Sequence, residues 1–285
     1  MLATLIIVFR EVIEAGLIVG IVLAATVGVP RRGLWVSFGI IGGVLGACLV
    51  AAFAGELASL FEGSGQEIFN ATILLLAVCM LTWHNVWMAG HGREMAREMK
   101  AVGAEVTAGQ RSLAALAIVV GVAVLREGSE VVLFLYGIAS QGGTSQGAML
   151  LGGTLGVIAG AGVSALMFFG LLQIPAGKLF SVTAWLITLL AAGMAAQAVL
   201  FLQQGGYLQF WQTTLWDTSG ILPEGGPNTG TLGLIGQMLH TLIGYSDQPN
   251  GAQLAAYLAT IAVIMGLTRW EHARHPRGGQ IPKPA

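Results

Sequence analysis

Seven apolar stretches, each long enough to cross a bilayer, decide what this chain can become. They fall at roughly 2–27, 34–55, 68–88, 112–139, 148–172, 180–202 and 252–269. An α-helix rises about 1.5 Å per residue and the hydrocarbon core is about 30 Å thick, so about 20 apolar residues suffice to span it. Lipid offers no hydrogen bonds to the backbone, so such stretches must be helices. Only 9% of the 285 residues are charged and 55% are hydrophobic, whereas a soluble domain is about 25% charged. The expected fold is therefore an all-α polytopic membrane protein with seven transmembrane helices. The formal net charge is −1. With no basic run in the sequence, nucleic acid is excluded as a partner. Cys48 and Cys79 fall in apolar stretches without metal-ligand spacing and read as small buried residues. The N-terminus lacks a basic leader and its apolar start is interrupted by Arg10, Glu11 and Glu14, so it reads as a retained first span.

The loops set an expected orientation. Arg31 and Arg32, then Arg93, Arg97, Lys100 and Arg111, then Lys178, and finally Arg269, Arg274, Arg277 and Lys283 occupy alternate loops and the tail. The remaining loops carry Glu56, Glu62 and Glu67, then Asp217, Glu224 and Asp247. The positive-inside rule then places the N-terminus outside and the C-terminus in the cytoplasm. The long outer connection 203–251 holds Leu232, Ile235, Leu239 and Leu242 at helical spacing, which predicts a short amphipathic helix on or partly within the membrane. The tail after Glu271 is polar, with Pro and Gly, and is expected to be disordered.

An internal repeat is visible. FREVIEAGLIVGI in the first stretch resembles LREGSEVVLFLYGI in the fourth, with Arg10 and Arg126 aligned. The second and fifth stretches carry small-xxx-small glycine pairs, Gly39/Gly43 and Gly42/Gly46 in one, Gly152/Gly156 and Gly156/Gly160 in the other; such pairs let helix backbones approach closely. The expected organisation is one permease-like domain, 1–285: repeat one 1–90, repeat two 112–203, outer loop 204–251, last helix 252–270 and tail 271–285. Three crossings separate the copies, so the second runs opposite to the first. This 3+3 inverted repeat plus one helix is a transporter plan, with the substrate site near the midplane.

Two segments break the rules of a membrane helix: Arg10, Glu11 and Glu14, and Arg126, Glu127 and Glu130. Each charge at a helix centre costs about 2.5–3.5 kcal/mol on insertion scales, so the six must face the bundle interior and pair or bind something. Residues at i and i+3 share a helix face, and an Arg four residues before a Glu can pair with it. Four carboxylates thus converge with two guanidinium groups, leaving a net −2 that suits a cation. Carboxylate oxygens are hard ligands fitting Fe³⁺, Mn²⁺, Ca²⁺ or Mg²⁺. Charge alone does not choose between a divalent and a trivalent ion. A structural clasp or a metal-free proton relay is the alternative use of these groups.

The paired R-E-x-x-E motifs in the first and fourth of seven stretches resemble the oxidase-dependent iron permeases, the fungal high-affinity ferric permease and its bacterial relatives. The segments LTWHNVWM and LWDTSGILPEGGPNTGTLGLIGQMLHTLIGY are similar to that family too, so the resemblance covers nearly the whole chain. It implies an iron permease moving ferric ion inward, with an extracytoplasmic oxidase or peroxidase and an iron-binding protein as partners. The implied metal residues are Glu11, Glu14, Glu127 and Glu130, with Arg10 and Arg126 balancing charge. The family's motif reads R-E-G-L-E; here the copies read Arg10-Glu11-Val12-Ile13-Glu14 and Arg126-Glu127-Gly128-Ser129-Glu130, so the first lacks the glycine. An inner (plasma) membrane is the expected location. Iron is substrate, and no permanently bound cofactor is expected.

Glu56, Glu62 and Glu67 are candidate outer-entry residues, since a one-sign cluster raises the local cation concentration; solvated loop acids are the plainer reading. Asp217, Glu224 and Asp247 suit cation gathering or partner docking. His84 and His91 flank the inner end of the third stretch and are candidate exit ligands. The run Arg93–Lys100, alternating with Glu94 and Glu98, reads as a solvated inner helix. No nucleophile with its base is evident, so the chain is not expected to be an enzyme. Carriage of another divalent metal such as Mn²⁺ or Pb²⁺, or a non-transporting membrane metal sensor, are the competing functions.

Overall fold

The structure is a computed structural model that describes residues 1–59, 66–140, 145–170, 176–224 and 230–274. Among these the chain forms eight α-helices: α1 (Leu2–Ala25), α2 (Arg32–Ser59), α3 (Gln66–Thr107), α4 (Ala114–Ser140), α5 (Gln146–Phe168), α6 (Ala176–Gln204), α7 (Gly230–Ile243) and α8 (Gly251–Arg274). By length and composition, five helices are apolar enough to cross a membrane: α2, α3 over Glu67–Met88, α5, α6 over Ser181–Gln204, and α8. This all-helical, multi-pass architecture agrees with the class expected from the sequence. Helices α1 and α4 are 24 and 27 residues long, ample for a crossing. Each carries one Arg and two Glu at its centre, which is why apolar composition alone does not select them.

Four details differ from or refine the sequence reading. Cys48 on α2 and Cys79 on α3, expected to be buried, are exposed. Helix α3 does not stop near residue 88 but runs through Thr107. Its second half is rich in Ala, Glu, Lys, Arg and Met, all strong helix formers, so nothing ends it at the apolar boundary. It stops where Gly109 takes a left-handed φ of +72°. The amphipathic helix expected in the outer loop is α7. Helix α8 opens with a reciprocal cap: Gln253 N–H donates to Asn250 Oδ1 and Asn250 N–H to Gln253 Oε1, both at 2.9 Å. Of the C-terminal tail, residues 275–285 lie outside the described residues, as does Glu62.

Helix α2 packs along α4, α1 packs along α5, and α3 along α6. The first two contacts are built on glycine. A Cβ at Gly39 or Gly43 would come within 2.6 or 2.7 Å of the Ala117 or Gly121 carbonyl oxygen of α4. A Cβ at Gly156 or Gly160 would come within 2.8 or 2.9 Å of the Leu5 or Phe9 carbonyl oxygen of α1. Only glycine lets backbones meet this closely. Gly39, Gly43 and Gly121 on one side correspond in spacing to Gly152, Gly156 and Leu5 on the other. Large apolar side chains such as Phe38, Leu49 and Phe53 on α2 and Leu150 and Ile158 on α5 stay exposed, as a lipid-facing surface requires. Inside, Ile7, Leu74, Leu81, Phe134, Ile138 and Ile187 form a closely packed apolar core where the start of α1 meets the start of α3 and the end of α4.

Candidate metal centre

The two motif segments meet in the bundle interior. In α1, Arg10 Nη1 lies 3.0 Å from Glu11 Oε1 and Nη2 lies 2.8 Å from Glu14 Oε1. In α4, Arg126 Nε lies 3.3 Å from Glu130 Oε1 and 3.9 Å from Glu127 Oε1. Both i,i+4 pairs expected from the spacing are present. Glu11, Glu14, Glu127 and Glu130 are all buried, with 1–8% of their surface exposed. Burial of four carboxylates demands compensating charge or a ligand.

His84 of α3 supplies part of that compensation. Its Nε2 lies 3.3 Å from Glu14 Oε2, and its Nδ1 contacts Glu130 Oε2. The imidazole, 2% exposed, therefore bridges the second carboxylates of both motifs. Read from the sequence as an exit ligand, His84 sits within the carboxylate cluster. Glu11, His84, Glu127 and Glu130 each offer one ligand atom, all within 4.8 Å of one another. The Glu11 and Glu127 side chains face each other, and Glu11 Oε2 and Glu127 Oε2 have no hydrogen-bond donor other than each other among the described residues. Oxygens buried this way are costly unless a proton or a cation joins them. Three carboxylates and an imidazole make a donor set for a first-row transition metal. The signal that could have placed His84 here is its position: a polar residue inside an apolar helical stretch carries the same penalty as the motif charges.

The remaining candidates are dispersed. Glu56 and Glu67 are exposed at the end of α2 and the start of α3. His91 stacks flat on Trp87, with ring centroids 5.2 Å apart, and Trp87 lies under the Arg126 guanidinium, 4.4 Å from its ring centroid. In the connection between α6 and α8 the acids are engaged with neighbours: Asp217 accepts from Ser219, and Asp247 Oδ2 accepts from Glu224 N–H at 3.1 Å. Glu224 also pairs with His240. Burial alone would raise the Glu224 carboxyl, but the His240 hydrogen bond and charge hold it below its ordinary value. Burial would likewise lower His240, and the Glu224 partner raises it instead. These groups tie the loop together across α7.

A cavity of about 410 Å³ leads away from the cluster between α3 and α4. Glu127 and Arg126 form its head, and Trp87, His91, Glu94 and Glu98 line its α3 wall. Glu94 and Glu98, read as solvated charges, are exposed, and both line this cleft, which Glu127 also borders.

Comparison with known proteins gives a consistent picture. The model of the family described as "Iron permease FTR1 family" matches residues 1–273. The ferrous iron permease EfeU of Shigella sonnei is 30% identical over 284 residues, covering 98% of each chain. That of Yersinia pestis is 30% identical over 265 residues, covering 90% of this chain and 89% of the relative. No solved structure matches the chain.

Proposed function

Since this chain belongs to the iron permease FTR1 family, we propose that it carries iron inward through the Glu11–Glu14–Glu127–Glu130–His84 centre. The observation that carries this reading is the convergence of ligand atoms from α1, α3 and α4 within 4.8 Å, deep in a helical membrane protein. In this reading α1–α6 and α8 are the seven spans, and α1–α3 and α4–α6 are inverted copies. The glycine contacts support it, because residues of α1 and α4 that meet equivalent glycines keep the spacing of Arg10 and Arg126. The loop charges support an outside N-terminus and a cytoplasmic C-terminus.

Arg10 and Arg126 reduce repulsion among the carboxylates when no ion is bound. An arriving cation takes over that role, and His84 exchanges a carboxylate contact for the metal. Movement of one repeat against the other then exposes the ion inward. Four carboxylates and two guanidinium groups sum to −2, so Fe²⁺ leaves the centre formally neutral. The His84 nitrogen, a borderline ligand, also favours Fe²⁺, and the relatives are named ferrous iron permeases. Fe³⁺, with an extracytoplasmic oxidase or peroxidase supplying it, is the second reading; the hard carboxylates favour it.

The test is radio-iron uptake in cells producing wild type, Glu11→Gln, Glu127→Gln and the control Glu105→Gln, offered as Fe²⁺ with reductant or as Fe³⁺ citrate. Both motif variants are expected to lose uptake at least about tenfold, an effect on transport of about 1.4 kcal/mol or more, while Glu105→Gln keeps it. Glu105 pairs with Arg111 away from the centre. Normal uptake by both motif variants at equal protein level sinks the proposal.

A further inference from the structure

The cavity beside the centre has two unlike walls. Along α3, Trp87, His91, Glu94, Met95, Glu98 and Met99 recur at one-turn spacing and form a single stripe. Across from them α4 presents the apolar Ile118, Val119, Val122 and Ala123. The head of the cavity is Glu127, 3% exposed, whose Oε2 has no donor other than Glu11 among the described residues. Beside it stands Arg126, whose side chain is 35% exposed and lies against Trp87 and Glu130. A guanidinium in the path of a leaving cation would repel it. Stacked on Trp87, this one stands to the side of the carboxylate. The opposite end of the bundle offers no comparable route among the described residues: Ile7, Leu81, Phe134 and Ile138 fill it with 0% exposure.

We propose that this cleft is the cation's way out of the metal centre, with His91, Glu94 and Glu98 receiving a divalent first-row ion. Glu94 and Glu98 are i,i+4 neighbours and so stand one above the other on the face of α3 that lines the cleft. His91 Nδ1 lies 3.3 Å from the Trp87 carbonyl oxygen and 3.8 Å from Glu271 Oε1, so an ion here would exchange with those contacts and meet a looser, more labile set than the buried centre. A station for release needs that difference: the ion is drawn off Glu127 without being trapped. Trp87 is a positioning residue here, parking Arg126 clear of the path. The inference rests on the permease reading, and its test separates the two.

The full chain in nanodiscs is titrated anaerobically with Mn²⁺, and free ion is read by electron paramagnetic resonance. Wild type is expected to hold about two ions, one tight and one weak, as first-row ions bind such donors in order of ligand charge. Glu94→Gln/Glu98→Gln should lose the weak ion, and Glu11→Gln/Glu127→Gln the tight one. In proteoliposomes, Glu94→Gln/Glu98→Gln should lower iron flux about fivefold with the half-saturating concentration unchanged, because release is slowed and capture is not. As a measurement that leaves the acids intact, Ala123→Cys in a Cys48→Ala/Cys79→Ala background should be modified by a cationic thiol reagent from the cytoplasmic side, with Mn²⁺ protecting. Wild-type binding and flux in Glu94→Gln/Glu98→Gln, or modification of Ala123→Cys from the outer side alone, overturns the proposal. If Glu11→Gln/Glu127→Gln still loses the tight ion, the metal-centre reading survives that failure; if it does not, both fall.

Discussion

The two R-E-x-x-E segments are alike in spacing and unlike in setting. Arg10 is buried to 3% exposure and touches both of its own glutamates. Arg126 is 35% exposed, approaches Glu130 and not Glu127 closely, and leans on Trp87. The first arginine is thus enclosed with both of its carboxylates, and the second stands half open beside one of its own. The difference comes from what α3 brings to each side. His84 joins Glu14 to Glu130, whereas Trp87, one turn further on, lies under Arg126. A repeated motif is in this way given two settings by the His84 and Trp87 side chains of α3.

The largest expected effect tests that division directly. Removing Arg10 leaves buried carboxylates uncompensated, and breaking such a buried pair costs about 3–5 kcal/mol. Arg10→Gln should therefore reduce the yield of monodisperse protein and its melting temperature sharply. Arg126 is half-exposed and its partner Glu130 keeps His84, so Arg126→Gln should cost less stability than Arg10→Gln and change transport instead. Equal losses of thermal stability in the two variants would erase the comparison.

The next effect concerns packing, where the two copies should behave alike. Gly43→Ala and Gly156→Ala each push a methyl group against a carbonyl oxygen, at 2.7 and 2.8 Å. Overpacking of this kind costs about 1–3 kcal/mol. Both variants should lower the melting temperature by similar amounts, and a change in one alone would mean that the two glycine contacts are not equivalent.

How much of this was legible beforehand depends on whether a feature is local. The all-helical class, the α7 helix and the Arg10–Glu14 and Arg126–Glu130 pairs all follow from spacing within single segments. The insertion cost of charge in lipid then forces the segments together. What the sequence hid was the third helix. His84 looked like an end-of-span residue because the apolar run fades near residue 88, while α3 continues to Thr107 on helix-forming polar residues. The cleft was hidden for the same reason. Glu94 and Glu98 read as solvated charges, and only tertiary packing sets their face opposite α4.

The smallest expected effect accounts for the one departure in the motif itself. The first copy has Val12 where the second has Gly128. Val12 lies against Gly160 of α5, whereas a Cβ at Gly128 would come within 2.6 Å of the Ala47 methyl of α2. Position 12 corresponds to 128 by the spacing of Arg10 and Arg126, and 47 corresponds to 160 by the spacing of Gly43 and Gly156. The small residue has changed partners: Val opposite Gly in one copy, Gly opposite Ala in the other. The missing glycine therefore leaves the helices as close as before. Gly128→Val should destabilise by about 1–3 kcal/mol. Ala47→Gly alone should cost about 0.5–1 kcal/mol in helix propensity. Combined, the two should recover part of the loss, with a coupling of about 0.5–3 kcal/mol in a double-mutant cycle read by thermal melts. Simple additivity would mean that the α2–α4 contact yields to a valine in some other way, and that the copies are less alike at this position than their glycines imply.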